Sequence, residues 1–204
     1  MESKEKNTKE RILEEALKLF AQSGYMGTSM NDIASKLGVT KAALYKHYKS
    51  KQEILDSIIE KMNELDIERV KLYEMPEGDL EKVTAEYKET AFDKIKRFTK
   101  VQFLHWTEEE FSSCFRKMLT LEQYREPQMA QLYQNYLASG PLAYMEALFS
   151  GMLGDAEKAR QTALDFYGPI FLLYSIYDGV EDKRHVIKLL EEHMDHFQQE
   201  MQTS

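Results

Sequence analysis

The stretch from Thr28 to Lys51 leaves room only for short helices. Ser29 followed by Asp32 is a helix start of the capping-box kind, with Asp in place of the usual Glu. Gly38 then offers the left-handed conformation that ends a helix. Thr40 supplies a new cap directly afterwards, and Ser50 with Glu53 forms a further capping box. Any fold for this segment is therefore built from short helices joined by tight turns.

The flanking sequence continues the pattern. Thr8 is the expected cap of a first helix with Ile12, Leu13, Ala16, Leu17 and Phe20 on one face, stopped at Gly24. After Ser50, the residues Ile54, Leu55, Ile58, Ile59, Met62 and Leu65 give a fourth helix its apolar stripe, expected to run to about Tyr73, ahead of Pro76 and Gly78. Punctuation falls again near Pro127, at Gly140-Pro141, at Gly151 to Asp155 and at Asp178-Gly179. The last two helices, about Asp155 to Tyr177 and Glu181 to Met201, should pair antiparallel, with Pro169 kinking the first. Strand alternation, repeats and low-complexity tracts are absent from the sequence, so the expected class is all-α.

Charge is distributed unevenly. Residues 1–55 hold ten Lys and Arg against seven Asp and Glu, a balance of +3, while the rest of the chain carries -11 of a total of -8. From Lys36 to Gln52 there are five lysines and no acid. An acid-free basic run suits a polyanion, because carboxylates there would repel phosphate. The single cysteine, Cys114, has no internal disulfide partner. The charged start lacks a signal-peptide core, and "GPIFLLYSIY" is far shorter than the ~20 apolar residues a membrane helix needs. A cytoplasmic protein with no membrane partner is expected.

Two short helices joined at Gly38 make a helix-turn-helix candidate. Ala34 allows close crossing, and Val39 and Leu44 are expected to fill the space between the helices. On the second helix of the pair, Lys41, Ala42 and Tyr45 lie opposite Ala43 and Leu44. Tyr45 can offer a hydroxyl to phosphate or its ring to a thymine methyl, and Lys46, Lys49 and Lys51 add charge.

The segment "GYMGTSMNDIASKLGVTKAALYKHYKSKQEIL", Gly24 to Leu55, resembles the DNA-binding segment of the TetR family of transcriptional regulators. The resemblance rests on Gly24-Tyr25, Thr28-Ser29, Ile33-Ala34, Gly38-Val39-Thr40-Lys41, Leu44-Tyr45, His47-Tyr48 and Lys51, and covers about the first quarter of the chain. It implies an N-terminal three-helix DNA-binding domain, residues 1–52, and a C-terminal helical effector-binding and dimerisation domain, residues 53–204. It also implies that Thr28, Thr40, Lys41, Ala42, Tyr45, Lys46, His47 and Lys51 face double-stranded DNA. Ala42 stands where the family often has glycine or proline, and Tyr48 where it often has phenylalanine.

The expected function is that of a repressor, binding a near-palindromic operator as a homodimer and released by a small apolar or amphipathic ligand. Aromatic and methionine residues recur at helical spacing in the remainder, and Phe103, Trp106, Phe115, Met118, Tyr133 and Tyr144 are the effector-pocket candidates. "ALDFYGPIFLLYSIY" is apolar on too many sides for one buried face, which makes Phe166, Ile170, Phe171 and Tyr174 the dimer candidates. Three alternatives stand beside this reading: a helical metalloenzyme using His193 and His196, a protein-binding adaptor, and a regulator without an effector. No catalytic or metal-site motif is present, so no cofactor is expected.

Overall fold

The computed structural model describes residues 2–203, with side chains from Asn7 onward. Among these, every regular element is an α-helix. In chain order they are α1 (Glu2–Ser23), α2 (Met30–Leu37), α3 (Lys41–His47), α4 (Lys51–Leu72), α5 (Leu80–Glu89), α6 (Phe92–Thr107), α7 (Glu110–Glu122), α8 (Pro127–Leu137), α9 (Ser139–Leu153), α10 (Ala156–Gly179) and α11 (Lys183–Thr203). None is long and apolar enough to cross a membrane.

Side-chain caps start α2, α3, α5 and α10, at Ser29, Thr40, Asp79 and Asp155, whereas α1 departs from its expected cap. Thr8 does not cap it; the helix already includes Glu2 to Asn7. This charged run contains no Gly or Pro and is rich in good helix formers, so nothing delays the start until Thr8. Pro127 opens α8, and Pro141 sits in the first turn of α9, where its missing N–H costs little.

The chain forms two compact units. The first comprises Met1–Arg69 and Glu110–Tyr133, the second Val70–Glu109 and Gln134–Ser204. The first unit thus extends beyond residues 1–52: it takes in most of α4, all of α7 and much of α8. Its centre holds Phe20, Ile33, Leu44, Ile54, Leu55, Ile58 and Met62, each at most 1% exposed. Burying a side chain of this kind contributes roughly 1.5–3 kcal/mol. Helix α7 packs along α1, burying Phe115, Met118 and Leu119. Lys18 of α1 pairs with Glu110 at 3.1 Å, and the Lys61 ammonium lies 4.6 Å from the Phe111 ring centre.

In the second unit α9 packs on α5 and α10, and α10 in turn on α6 and α11. The approach of α5 to α9 needs Gly151, where a methyl group would come within 2.8 Å of Thr84 Cγ2. Phe166 meets both Phe149 and Phe197, with ring centres 6.1 and 5.0 Å apart. His193 Nε2 lies 2.9 Å from the Phe166 carbonyl, while Lys183 bonds the Tyr177 carbonyl at the other end. These pairings make α10 and α11 antiparallel.

Candidate nucleic-acid interface

Each helix of the pair is held by its own ends. Ser29 Oγ accepts from the Asp32 N–H at 3.2 Å, and Asp32 Oδ2 accepts from the Ser29 N–H at 2.8 Å, a reciprocal box. The Ser29 hydroxyl and then its N–H hold the Asp32 carboxyl below the usual aspartate value. At the other end Gly38 is left-handed, with φ 67°, and the Val39 N–H returns to the Ala34 carbonyl at 3.0 Å. Thr40 Oγ1 then accepts from the Ala43 N–H at 3.2 Å and starts α3.

Ile33, Ala34, Leu44 and Tyr48 point inward and are nearly inaccessible. Val39 does not join them: it is 43% exposed, because the left-handed turn at Gly38 leaves it outside the helix contact. Thr40, Lys41, Ala42, Lys46 and Lys49 are exposed, and Tyr45 is half-buried beside them. The Lys41 ammonium lies 5.7 Å from the Tyr45 ring centre, and Lys49 Nζ donates to the Tyr45 carbonyl at 3.0 Å. This surface is cationic, carries hydroxyls and has one aromatic ring, and it suits a groove flanked by phosphates.

Three residues expected on that face are placed differently. Thr28 is 3% exposed, and its hydroxyl donates to the Gly24 carbonyl at 2.8 Å, closing the turn after α1. Lys51 is half-buried, and its ammonium donates to the carbonyls of Tyr25 and Thr28, at 2.8 Å for the latter. It also lies 4.2 Å from the Tyr25 ring centre. Burial pushes the Lys51 ammonium below the usual lysine value, opposed by the charge of Glu122. The turn carbonyls need donors, and Lys51 supplies them. His47 is half-buried and lines a hollow with Arg11, Leu37 and Val39.

The effector candidates fall in both units. Phe103, Trp106 and Tyr144 belong to the second; Phe115, Met118 and Tyr133 belong to the first. Phe103 is wholly buried, stacked on Tyr174 at 5.1 Å and met edge-on by Tyr177 at 5.7 Å. Tyr177 donates to Glu108 Oε1 at 2.6 Å; burial and then this bond push its phenol up to about 12. Trp106 is 8% exposed, with the Tyr136 ring 6.4 Å away, and Tyr144 is 45% exposed.

The dimer candidates divide as well. Phe166, Ile170 and Tyr174 are at most 8% exposed within the single chain, spent on Phe149, Phe197 and Phe103. The open face of α10 instead shows Leu164, Gly168, Phe171, Leu172 and Ser175. A helix apolar all round does not reveal from sequence which side its own core takes. His196, the other histidine of the metal alternative, is exposed beside Glu200 at 3.3 Å.

The geometry agrees with what the chain resembles. Residues 12–58 match the model described as "Bacterial regulatory proteins, tetR family". Over 52 residues the chain is 40% identical to IcaR of Staphylococcus epidermidis, the HTH-type negative transcriptional regulator of the biofilm operon icaADBC; the match covers 26% of this chain and 28% of IcaR. Over 53 residues it is 43% identical to the HTH-type transcriptional regulator AcrR of Shigella flexneri, covering 26% of this chain and 25% of AcrR. The chain thus spans about a quarter of the length of these curated relatives. A solved transcriptional regulator from Aquifex aeolicus shares the fold over 92% of this chain and 98% of its own, with TM-score 0.61 and 23% identity. With the helix-turn-helix pair capped as described and the family's pattern running through it, residues 12–58 form a DNA-binding segment of the kind described for the tetR family of bacterial regulatory proteins.

Proposed function

We propose that the chain is a cytoplasmic, DNA-binding transcriptional repressor that binds a near-palindromic operator as a homodimer and leaves it when a small apolar or amphipathic ligand binds. The observation that carries this reading is the acid-free face of exposed Thr40, Lys41, Ala42 and Lys46 beside half-buried Tyr45, on a helix capped at both neighbouring turns. The relative IcaR is named a negative regulator, which supports repression. The apolar face of α10 around Phe171 and Leu172 supports the dimer. The density of aromatic side chains around Trp106 supports a ligand of apolar character.

Selection of bound fragments from genomic DNA, followed by footprinting, tests the reading. The expected product is a near-palindrome with half-sites about one helical turn, ~34 Å, or a multiple apart. Recovery of unrelated fragments, with no shared sequence, contradicts it.

A further inference from the structure

Glu122, the last residue of α7, is an acid with no exposed surface. Its Oε1 faces Arg125 Nη1 at 3.4 Å, and its Oε2 has no hydrogen-bond partner among the described residues. A buried carboxylate without full pairing is costly, so its retention calls for a use. The carboxylate sits directly under the turn between α1 and α2: a methyl group at Gly24 would lie 2.0 Å from Glu122 Oε1. Gly24, at φ 81°, starts that turn, and its carbonyl receives the Thr28 hydroxyl. The same turn is held by Lys51, whose ammonium bonds the Tyr25 and Thr28 carbonyls and feels the Glu122 charge. The turn that leads into α2 thus meets both a cation from the start of α4 and an acid from the end of α7.

We propose that Glu122 is a positioning residue for DNA recognition: its buried carboxylate, against Gly24 in the turn that Lys51 also holds, sets the α1–α2 turn and through it the placement of α2 and α3. This rests on the regulator reading above. It makes α7 a second support of the recognition pair, beside α4.

The test uses the full chain and its Glu122→Gln and Glu122→Asp variants. Each is titrated with the selected operator and with a scrambled duplex of equal length, and amide exchange is followed in the DNA-free protein. Charge alone predicts that Glu122→Gln tightens binding to any DNA, since a negative charge has left the vicinity of a polyanion. A positioning role predicts the reverse for the operator: a loss of about tenfold or more, the size of a disturbed base contact. Affinity for the scrambled duplex should not fall, and amides 24–28 should exchange faster than those elsewhere in the first unit. Unchanged or tighter operator binding overturns the proposal, as does faster exchange spread evenly through that unit with a lowered Tm. Glu122→Asp keeps the charge but draws it back from Gly24, so it serves if the glutamine variant does not fold. Its expected loss is smaller and in the same direction, and parent-like binding with parent-like turn exchange overturns the idea. If the parent itself prefers no sequence, the regulator reading fails, and the exchange of amides 24–28 still decides the role of Glu122.

Discussion

The Lys51 ammonium lies 2.8 Å from the carbonyl oxygen of Thr28, in the turn that precedes α2. A lysine near the end of the acid-free basic run is therefore engaged by its own backbone.

Lys51→Met should then act on stability. Two turn carbonyls lose their donor, which costs about 1–3 kcal/mol where such groups stay unsatisfied. The salt dependence of operator binding should stay as in the parent. Denaturant unfolding and a salt series on one preparation check both; a slope reduced by about one, with parent stability, would put Lys51 on a phosphate instead.

Asp32 gives a pH dependence. Its carboxyl is held below the usual aspartate value of 3.8 in the fold, by the Ser29 hydroxyl first and the Ser29 N–H second. A depressed carboxylate contributes stability above its unfolded value, and that contribution is lost as pH falls through the folded one. NMR titration should find Asp32 below 3.8, and Asp32→Asn should remove that part of the acid dependence. An Asp32 pKa at or above 3.8 contradicts the capping box in solution.

The α10 face yields a second mutational contrast. Phe171 and Leu172 are 37% and 58% exposed, so Phe171→Glu or Leu172→Glu should leave the chain folded and yield monomers at micromolar concentration. Tight operator binding should be lost with the second half-site contact. Phe166→Ala instead should cost about 3–5 kcal/mol of stability, since that ring is 6% exposed and packed on Phe149 and Phe197. Sedimentation beside thermal unfolding separates the two; a Phe171→Glu, Leu172→Glu double variant that stays dimeric moves the interface off α10.

A ligand that releases the operator should change Trp106 fluorescence in the same concentration range. It must bind the DNA-incompetent state more tightly, because equal affinity shifts nothing. Release with constant Trp106 emission would place its site away from this residue.

What was legible in the sequence was mostly local. Ser29, Asp32, Gly38 and Thr40 act within a few residues of themselves, and each does in the fold what its spacing implies. The limits of α4 and the turn between α10 and α11 were readable for the same reason. Tertiary choices were not. Thr8 looks like a cap until the helix-forming charged run before it is weighed. Phe166 and Phe171 are the same residue on one helix, and only the positions of α9 and α11 turn one inward. Nothing in the neighbourhood of Glu122 along the chain shows that α7 lies against α1 and that this acid is buried. Lys51 reads as a phosphate ligand because carbonyls that lack donors leave no mark in a sequence.

The central claim is that the exposed face of α3 reads DNA. The most direct measurement is titration of the selected operator with the parent and with the Lys41→Ala, Tyr45→Ala double variant, at matched salt and with the fold verified by far-UV circular dichroism. Each lost base contact should weaken binding by about 1–3 kcal/mol, while affinity for a scrambled duplex falls far less. A folded double variant that binds the operator as tightly as the parent would contradict the account.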